Sequence, residues 1–399
     1  MDKIPASAGG KPLLDKYIIF GSPVIEKPEI DDVVDSLTTG WLGTGPKVKR
    51  FEEAFKEYVD ARYAISVNSC TAALHLALLV INLPPDAEVI TTPMTFTATA
   101  ASIVHAGAIP TFVDVDRKSM NITAEFIEPA ITEKTKAIIP VHFAGRPCNM
   151  KKITELSERH GIKIIEDAAH AIETVSQGRK IGSIGDLTCF SFYVTKNIIT
   201  GEGGMVTTNN EEYAEKIKVM ALHGMTKDAW HRFTDQGFKH YQVTCAGFKY
   251  NMTDIQAAIG YHQLQRIEQY ASRRKKIWHY YNDAFKDLPV IIPSDNALEG
   301  DRHALHLYTL LLKTEDLRID RDQFMDALHK ENIGSGVHYV ALHLHPYYAE
   351  RYKLKRGMFP NAEYISDRTV SIPLSAKLND ADVEDIVEAV SCILKYYAK

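Results

Sequence analysis

The sequence has few cysteines, and they show no pattern that would join them. Its 399 residues contain five, at widely separated positions: Cys70, Cys148, Cys189, Cys245 and Cys392. Zinc sites and disulfide frameworks use close pairs, which are missing here. We therefore expect reduced thiols, as in a cytoplasmic protein.

Long apolar runs and an excess of positive charge are also missing. No run approaches the ~20 residues that a membrane helix requires, and "MDKIPASAGGKPLLDKYIIFG" lacks the charged, apolar and small-residue order of a signal peptide. The formal net charge is -5, so no general basic field would attract nucleic acid or an anionic membrane. We expect a cytoplasmic protein with neither of these partners.

Between about residue 61 and residue 210, short β-branched runs alternate with helical patterns. The segments "YAISVNS", "EVITTP", "PTFVDVD", "KAIIPVHFAG" and "IKIIEDAAHA" each end where a helical pattern or a turn begins. Several of these strands are nearly all apolar, as expected when helices cover both faces of a sheet. The pattern predicts an α/β fold with a mainly parallel sheet.

The pattern changes near residue 290. A long helical pattern from about 253 to 288 is followed by the segment "HLYTLLLKT", a helix "DRDQFMDALHKENIG", a strand "SGVHYVAL" and a last amphipathic helix "NDADVEDIVEAVSCILKYY". A chain of this length favours two domains. We predict a large domain over residues 1–288 and a smaller C-terminal α+β domain over residues 289–399.

Two residues near strand ends stand out as chemical candidates. Lys196 lies between the apolar run "CFSFYV" and the glycine cluster "GEGGMV", and Asp167 ends the strand "IKIIED". Both are expected at the carboxyl edge of the sheet, where α/β proteins bind ligands. Taken alone, Asp167 is also explained as a helix cap. An exposed surface lysine is the alternative for Lys196, but the apolar flanks fit it poorly.

A third element is the strand-to-helix junction "SVNSCTAALHLALL". Ser69 and Thr71 stand where free backbone N–H groups and the helix dipole form a phosphate site, although such residues are often plain helix caps. An amine, a carboxylate and a phosphate site together suit pyridoxal phosphate. A lysine forms a Schiff base with its aldehyde, and an aspartate keeps its ring nitrogen protonated.

The sequence also resembles a known family. Its motifs "GWLGTGPKVKRFEEAF", "NSCTAALHLAL", "PMTFTATA", "DVDR", "EDAAHA", "FSFYVTKNIITGEGGMV", "GFKYNMTDIQAAIG" and "VHY" resemble, in this order, those of DegT-type sugar aminotransferases. These are pyridoxal-phosphate enzymes of fold type I. The resemblance covers nearly the whole chain, and within the family it looks most like enzymes that aminate the 4-keto group of a UDP-linked sugar.

The resemblance implies a role for individual residues. Lys196 would bind the cofactor and move protons, Asp167 would pair with its ring nitrogen, and Phe96 would stack on its ring. Four residues would hold the phosphate: Ser69, Cys70 through its backbone N–H, Thr71 and Ser191. Asn251 matches a residue that reaches the phosphate from a second subunit, so a homodimer with shared active sites is implied.

Other positions are implied on the substrate side. His170, where many relatives have glutamine, would bind the cofactor hydroxyl or simply be packed. Thr44 in "GWLGTGP", Tyr193 and His338 in "VHY" match substrate-side positions, together with the segment 225–250. The pair in "HLHP", His343 and His345, has metal-like spacing but too few ligands for zinc, and no metal site is predicted.

The implied reaction is a transamination. Glutamate, as in the family, would give its nitrogen to the cofactor, which would then aminate the 4-keto group of a nucleotide-linked sugar for cell-surface polysaccharide synthesis. Two alternatives share this scaffold. One is a DegT-like dehydratase, but such enzymes carry histidine at the lysine position, so Lys196 argues against it. The other is a regulatory protein that keeps the fold without catalysis. An amino-acid aminotransferase would use an arginine for a second carboxylate, and the sequence does not identify one.

Overall fold

The computed structural model describes residues 3–226, 241–294 and 298–399. Its strands, in chain order, are β1 (Tyr63–Val67), β2 (Glu88–Thr91), β3 (Ile109–Phe112), β4 (Thr135–Ile138), β5 (Lys163–Asp167), β6 (Val175–Ser176), β7 (Arg179–Lys180), β8 (Leu187–Ser191), β9 (Gly204–Thr208), β10 (Val290–Ile291), β11 (Tyr308–Leu312) and β12 (Thr369–Ile372). Its α-helices are α1 (Lys27–Thr39), α2 (Pro46–Val59), α3 (Cys70–Val80), α4 (Thr97–His105), α5 (Ala124–Ile127), α6 (Met150–His160), α7 (Glu211–Ala221), α8 (Asp254–Gln265), α9 (Ile267–Phe285), α10 (Arg321–Lys330), α11 (Pro346–Tyr352), α12 (Pro360–Ser366) and α13 (Asp380–Tyr397).

A seven-stranded sheet organises the first part of the chain, in the order β1-β9-β8-β5-β4-β2-β3. Strand β9 is antiparallel to both of its neighbours, and the other pairs are parallel. Six strands therefore point the same way, and their carboxyl ends meet at one edge. The prediction of a mainly parallel α/β sheet is confirmed.

The sheet is buried on both faces, which explains its nearly continuous apolar strands. Successive β5 residues Ile164 and Ile165 belong to two different core clusters, because side chains alternate across a strand. One cluster is filled by α3, and the other by α2 and α6. Helices on both sides thus keep the strands away from water, and the polar residues collect at the strand ends.

Local capping decides where the helices next to the sheet edge begin. Ser69 caps α3 by accepting a hydrogen bond from the Ala72 N–H, and Asn149 caps α6 in the same way through the Lys152 N–H. At the other end of α6, Gly161 adopts a left-handed conformation with φ of 63°, which glycine enters at little cost. The Ser69 cap therefore fixes the start of α3 directly after β1.

A second core lies in the C-terminal part. It joins the antiparallel three-stranded sheet β10-β11-β12 to helices α10 and α13 and to the end of α9, including Trp278 and Phe285. Leu14 from the N-terminal segment also packs there. This core is distinct from the two that flank the large sheet, and the division into domains 1–288 and 289–399 stays a prediction.

Two local predictions were wrong. The segment "SGVHYVAL" is not a strand: its described pairing is a single bridge between Gly336 and Ser371, because the segment turns the His338 and Tyr339 rings into a cavity. The long helical pattern 253–288 forms two helices, which meet at Arg266. Among the described residues, no helix combines the length and apolarity needed to cross a membrane.

Candidate active site

A cavity of about 550 Å³ opens at the carboxyl edge of the large sheet. Ten of the residues singled out from the sequence line it: Ser69, Cys70, Thr71, Phe96, Asp167, His170, Ser191, Tyr193, Lys196 and His338. They come from segments far apart in the chain, and the edge brings them together because β1, β5 and β8 all end there. The other two residues predicted to bind cofactor or substrate, Thr44 and Asn251, lie outside this cavity.

Lys196 follows β8 in a tight turn in which its backbone N–H donates to the Tyr193 carbonyl at 2.8 Å. Burial lowers the pKa of its amine to about 8, although Cys70 and Asp167 oppose that effect. A neutral amine is the form that attacks a carbonyl or accepts a proton. The neutral fraction of the Lys196 amine at neutral pH is therefore far larger than that of an exposed lysine.

Asp167 is the last residue of β5, and both of its carboxylate oxygens are bonded. Thr99 Oγ1 donates to Oδ2 at 2.7 Å, and the Ala169 N–H donates to Oδ1 at 3.1 Å. Burial raises the pKa of this carboxyl, while these two donors and Lys196 lower it. A cation against the carboxylate would offset the burial, so the geometry suits a protonated ring nitrogen.

The N-terminus of α3 forms the anion-binding part of the cavity. Cys70 and Thr71 occupy its first two positions, whose N–H groups have no acceptor within a helix. The chain at Gly204 comes very close: a Cβ there would lie 2.6 Å from the Ser69 backbone. The glycine cluster after Lys196 is therefore needed for this approach.

Phe96 immediately precedes α4 and leaves 60% of its surface exposed although it lines the cavity. Phe96 is therefore not a core residue. Its open ring can stack on a planar ligand. The ring centroids of Phe96 and Tyr339 are 6.4 Å apart.

Histidine and tyrosine side chains form the wall near Lys196. His170 Nε2 lies 3.2 Å from Tyr339 Oη, and His338 Nδ1 lies 2.8 Å from Ser371 Oγ. Burial and the nearby Lys196 hold the pKa of His170 well below its usual range and lower that of His338 to about 3. Both imidazoles are therefore neutral hydrogen-bonding groups.

Thr44 and Asn251 lie outside this cavity but contact each other. Asn251 Nδ2 donates to Thr44 Oγ1 at 2.7 Å, and Thr44 Oγ1 donates to the Met252 carbonyl at 2.6 Å. They line a separate cavity of about 240 Å³ beside Lys49 and Lys218. Of the predicted substrate segment 225–250, residues 227–240 lie outside the described residues.

Sequence reasoning missed three residues of the main cavity and its walls. Thr99, four positions after Thr95 in "TFTATA", bonds Asp167. Tyr339 directly follows the predicted His338. His142, next to a strand end, also lines the cavity, and its Nε2 lies 2.9 Å from buried Glu166 Oε2. A polar residue directly after an apolar strand was the available signal for His142.

The histidines of "HLHP" have other partners. His343 Nε2 lies 3.0 Å from Glu363 Oε1, and His345 Nε2 lies 3.4 Å from the Val340 carbonyl. Within residues 3–226, 241–294 and 298–399, no cluster of three or more metal-ligating side chains was found.

The residues fit pyridoxal phosphate by three independent features. A partly buried lysine has a lowered pKa, a bonded aspartate stands at the neighbouring strand end, and an exposed aromatic ring lines the same cavity as the N-terminus of α3. The lysine would bind the cofactor, the aspartate its ring nitrogen and the helix its phosphate.

Comparisons with known proteins agree. SpsC of Bacillus subtilis (strain 168), a spore coat polysaccharide biosynthesis protein, is 46% identical over 380 residues, covering 95% of this chain and 97% of SpsC. The solved structure of Spr1654 from Streptococcus pneumoniae in its PLP form has a TM-score of 0.88 and 33% identity, covering 95% of this chain and 99% of that chain. A PMP form of Spr1654 has the same TM-score.

The aminotransferase PseC of Helicobacter pylori, involved in pseudoaminic acid biosynthesis, has a TM-score of 0.87 at 28% identity, covering 96% of this chain and 100% of that chain. A family model described as the DegT/DnrJ/EryC1/StrS aminotransferase family matches residues 23–391. The resemblance drawn from the motifs and the fold type I assignment are confirmed. The chain therefore belongs to the DegT/DnrJ/EryC1/StrS family of sugar aminotransferases, and its cofactor is pyridoxal phosphate.

Proposed function

We propose that this enzyme transfers the amino group of glutamate to the 4-keto group of a nucleotide-linked sugar, with UDP as the nucleotide. The observation that carries the proposal is the meeting of Lys196, Asp167 and the α3 N-terminus in one cavity. The names of SpsC and PseC, which refer to polysaccharide and pseudoaminic acid synthesis, support a product for cell-surface glycans.

The residues of this chain divide the work of proton transfer. When bound, pyridoxal phosphate supplies a carbonyl for amines and a ring that accepts the electron pair of the substrate carbon. Lys196, with its pKa near 8, takes the proton from that carbon and returns it. Asp167 stabilises the proton on the ring nitrogen, and Thr99 orients the Asp167 carboxylate.

Other residues position the reactants. The N–H groups of Cys70 and Thr71 at the start of α3, with Ser69 and Ser191, would hold the phosphate. Phe96 would cover one face of the ring. Residues that hold the phosphate and the ring nitrogen would keep the cofactor beside Lys196, which would reduce the entropic cost of the reaction.

On the substrate side, Tyr193 and His338 offer hydrogen bonds to the sugar. Tyr193 is 44% exposed at the cavity, so its hydroxyl is accessible to a large acceptor. His338 is neutral and can donate or accept at a sugar hydroxyl. These two residues are the proposed sugar contacts from the chain that supplies Lys196.

We also propose a homodimer with shared active sites. Thr44 and Asn251 lie outside their own chain's main cavity, and Asn251 Oδ1 is buried without a hydrogen-bond partner among the described residues. Near them α1 exposes Ile30, Val34 and Leu37 by 54%, 52% and 58%. A row of apolar side chains at helical spacing favours burial against a second copy.

The cytoplasm is the proposed location. All five cysteines are free thiols in the structure, which is the usual state in a reducing compartment.

The proposal is tested by incubating the holoenzyme and glutamate with UDP-, dTDP- and GDP-linked 4-keto-sugars and measuring 2-oxoglutarate. We expect release with a UDP-linked acceptor and none from Lys196→Arg. Release with free keto-sugars alone would contradict the nucleotide requirement. Loss of a sugar hydroxyl without transfer of nitrogen would favour a dehydratase, and an inert, cofactor-free protein would favour the regulatory alternative.

A further inference from the structure

The residue that directly follows Lys196 has its side-chain amide bonded at both ends. Asn197 Nδ2 donates to Glu173 Oε2 at 2.8 Å, and Asn197 Oδ1 lies 2.8 Å from His306 Nδ1. Because a carboxylate only accepts hydrogen bonds, the amide nitrogen must face Glu173. The amide oxygen therefore faces His306, and His306 Nδ1 carries the proton and donates.

Glu173 is itself held by a cation. Its other carboxylate oxygen, Oε1, accepts a hydrogen bond from Arg274, and both side chains are buried. The guanidinium balances the charge of the carboxylate, which would otherwise be costly to bury. Arg274, Glu173 and Asn197 therefore form one hydrogen-bonded chain that ends beside Lys196.

The far end of this chain lies on a long helix. Arg274 belongs to α9, and later residues of the same helix, Trp278 and Phe285, pack in the C-terminal core. A side chain that projects from a packed helix is placed more precisely than one on a loop. The chain thus connects the turn that carries Lys196 to a rigid part of the fold.

The turn needs such a connection because its backbone bonds are internal. The Lys196 N–H donates to the Tyr193 carbonyl at 2.8 Å, and the Thr200 N–H donates to the Phe192 carbonyl at 2.9 Å. These bonds close the turn on itself. The Asn197 amide instead joins it to side chains from other segments of the chain.

A role in binding the substrate is an alternative for Arg274, because Arg274 and Lys196 line the same narrow slot. The volume of this slot is about 30 Å³, which is room for about two water molecules. An amino acid does not fit there, and the guanidinium is already paired with Glu173. Arg274 is therefore not the arginine that an amino-acid aminotransferase would use for a second carboxylate.

We infer that Asn197 and Glu173 are positioning residues for Lys196. Asn197 holds the turn so that the lysine amine reaches the bound cofactor, and Glu173, paired with Arg274, fixes the Asn197 amide. A misplacement of about 1 Å can slow a reaction ~100-fold, so a turn held only by its own bonds would be a poor support. The inference rests on Lys196 and the cofactor and is independent of the acceptor sugar.

Two forms of the cofactor distinguish positioning of Lys196 from general support of the fold. Pyridoxal phosphate bonds covalently to the lysine, whereas pyridoxamine phosphate already carries an amine and does not. The preference of the apo-protein for pyridoxal phosphate over pyridoxamine phosphate therefore reports how well Lys196 is placed. A structural defect that weakens the whole site lowers both affinities and leaves the preference unchanged.

The first experiment measures both affinities by fluorescence titration of apo-proteins. The preference should fall ~10-fold in Asn197→Ala, with little change for pyridoxamine phosphate. In a Lys196→Met background, Asn197→Ala should not change the preference, which completes a double-mutant cycle. An unchanged preference in Asn197→Ala, or the same change without the lysine, would overturn the inference.

The second experiment tests Glu173 in the same assay. Glu173→Ala should lower the preference as Asn197→Ala does. The double variant Glu173→Gln with Arg274→Met keeps an acceptor for the Asn197 amide without a buried charge, so it should restore the preference. A double variant as impaired as Glu173→Ala, or an unchanged preference in Glu173→Ala, would overturn the role of Glu173.

Glu331→Ala is the matched control. Glu331 is as completely buried as Glu173, but it accepts backbone N–H groups of the N-terminal segment. This variant should lower the melting temperature and leave the preference between the two cofactor forms unchanged. An equal loss of preference in Glu331→Ala would show that the assay reports general stability, and would overturn the inference. No sugar is present in these measurements, so they can fail while transfer to a nucleotide-linked sugar stands.

Discussion

Thr99 Oγ1 lies 2.7 Å from Asp167 Oδ2 and also 2.7 Å from Thr95 Oγ1. The single proton of Thr99 goes to the carboxylate, so Thr95 must donate to Thr99. Two hydroxyls in series therefore point at Asp167. They oppose the effect of burial on the pKa of this carboxyl and fix its orientation.

Replacing Thr99 by valine should weaken cofactor binding ~10-fold, because Asp167 would lose its short hydrogen bond and its pKa would rise further. Fluorescence titration of the apo-protein with pyridoxal phosphate measures this. Thr97→Val is the matched control, since Thr97 is exposed on the same helix. Equal affinities for the two variants would contradict the importance of this bond.

Lys196→Arg should reduce turnover by at least ~10³-fold, because a guanidinium neither bonds covalently to the cofactor nor acts as a base. Borohydride reduction followed by peptide mapping gives an independent measurement. Wild type should carry the label on Lys196 and the variant should carry none. A label on another lysine of the wild-type protein would show that the covalent site is misassigned.

The pKa of Lys196, about 8 in the folded chain against 10.5 for an exposed lysine, predicts a pH-dependent stability. Between these values the unfolded chain holds the additional proton, so the free energy of unfolding rises with pH. The gain from this lysine is roughly 3 kcal/mol over the window. Lys196→Met has no titrating group at this position, so its free energy of unfolding lacks this dependence on pH.

Urea unfolding of the two apo-proteins at several values between pH 8 and pH 10 measures the difference. Lys196→Met should have the larger free energy of unfolding at pH 8, and the difference from wild type should decrease as the pH rises. A constant difference would mean that Lys196 titrates in the folded protein as an exposed lysine does.

Gly204→Ala should disturb the phosphate site, because the added Cβ would lie 2.6 Å from the Ser69 backbone. We expect cofactor affinity to fall by ~10-fold or more, together with a lower melting temperature, as overpacking costs ~1–3 kcal/mol. Gly43→Ala is the control for melting temperature, since a Cβ at Gly43 meets nothing within 4 Å. An unchanged affinity for pyridoxal phosphate in Gly204→Ala would show that the backbone at Ser69 can shift to accommodate the added Cβ.

The sequence predicted the sheet and most of the cavity because both depend on local signals. Apolar strands followed by polar residues located Asp167, and the glycine cluster after an apolar strand located Lys196. The bonds from Thr99 and from Tyr339 were not predictable in this way. Each joins residues 68 or 169 positions apart, and their partners are decided by tertiary packing rather than by periodicity.

The strand predicted at "SGVHYVAL" failed for a related reason. Its β-branched and aromatic residues satisfy strand propensity, but the side chains of His338 and Tyr339 are used at the cavity and its backbone pairs at one bridge only. The contribution of this segment to the cavity therefore outweighed its preference for a β-strand.

The proposed sharing of active sites predicts complementation between two inactive chains. Lys196→Ala lacks the amine, and Asn251→Ala lacks the residue assigned to the partner's phosphate. In a mixed dimer, one site combines Lys196 of the second chain with Asn251 of the first and is intact. With random pairing, about one quarter of all sites in the mixture should be restored, which is about half of the sites in the isolated mixed dimer.

Co-expressing the two variants with different affinity tags, isolating the mixed dimer and measuring turnover tests this directly. If Asn251 acted within its own chain, neither site of the mixed dimer would contain both residues and activity would stay at the level of the single variants. Mixing Lys196→Ala with Asp167→Asn is the matched control, since both residues line the same chain's cavity and no intact site can form. Restored activity in that control would mean that subunits exchange more than the two assigned residues, whereas restoration only in the Asn251 mixture requires the Asn251 side chain to act across the interface.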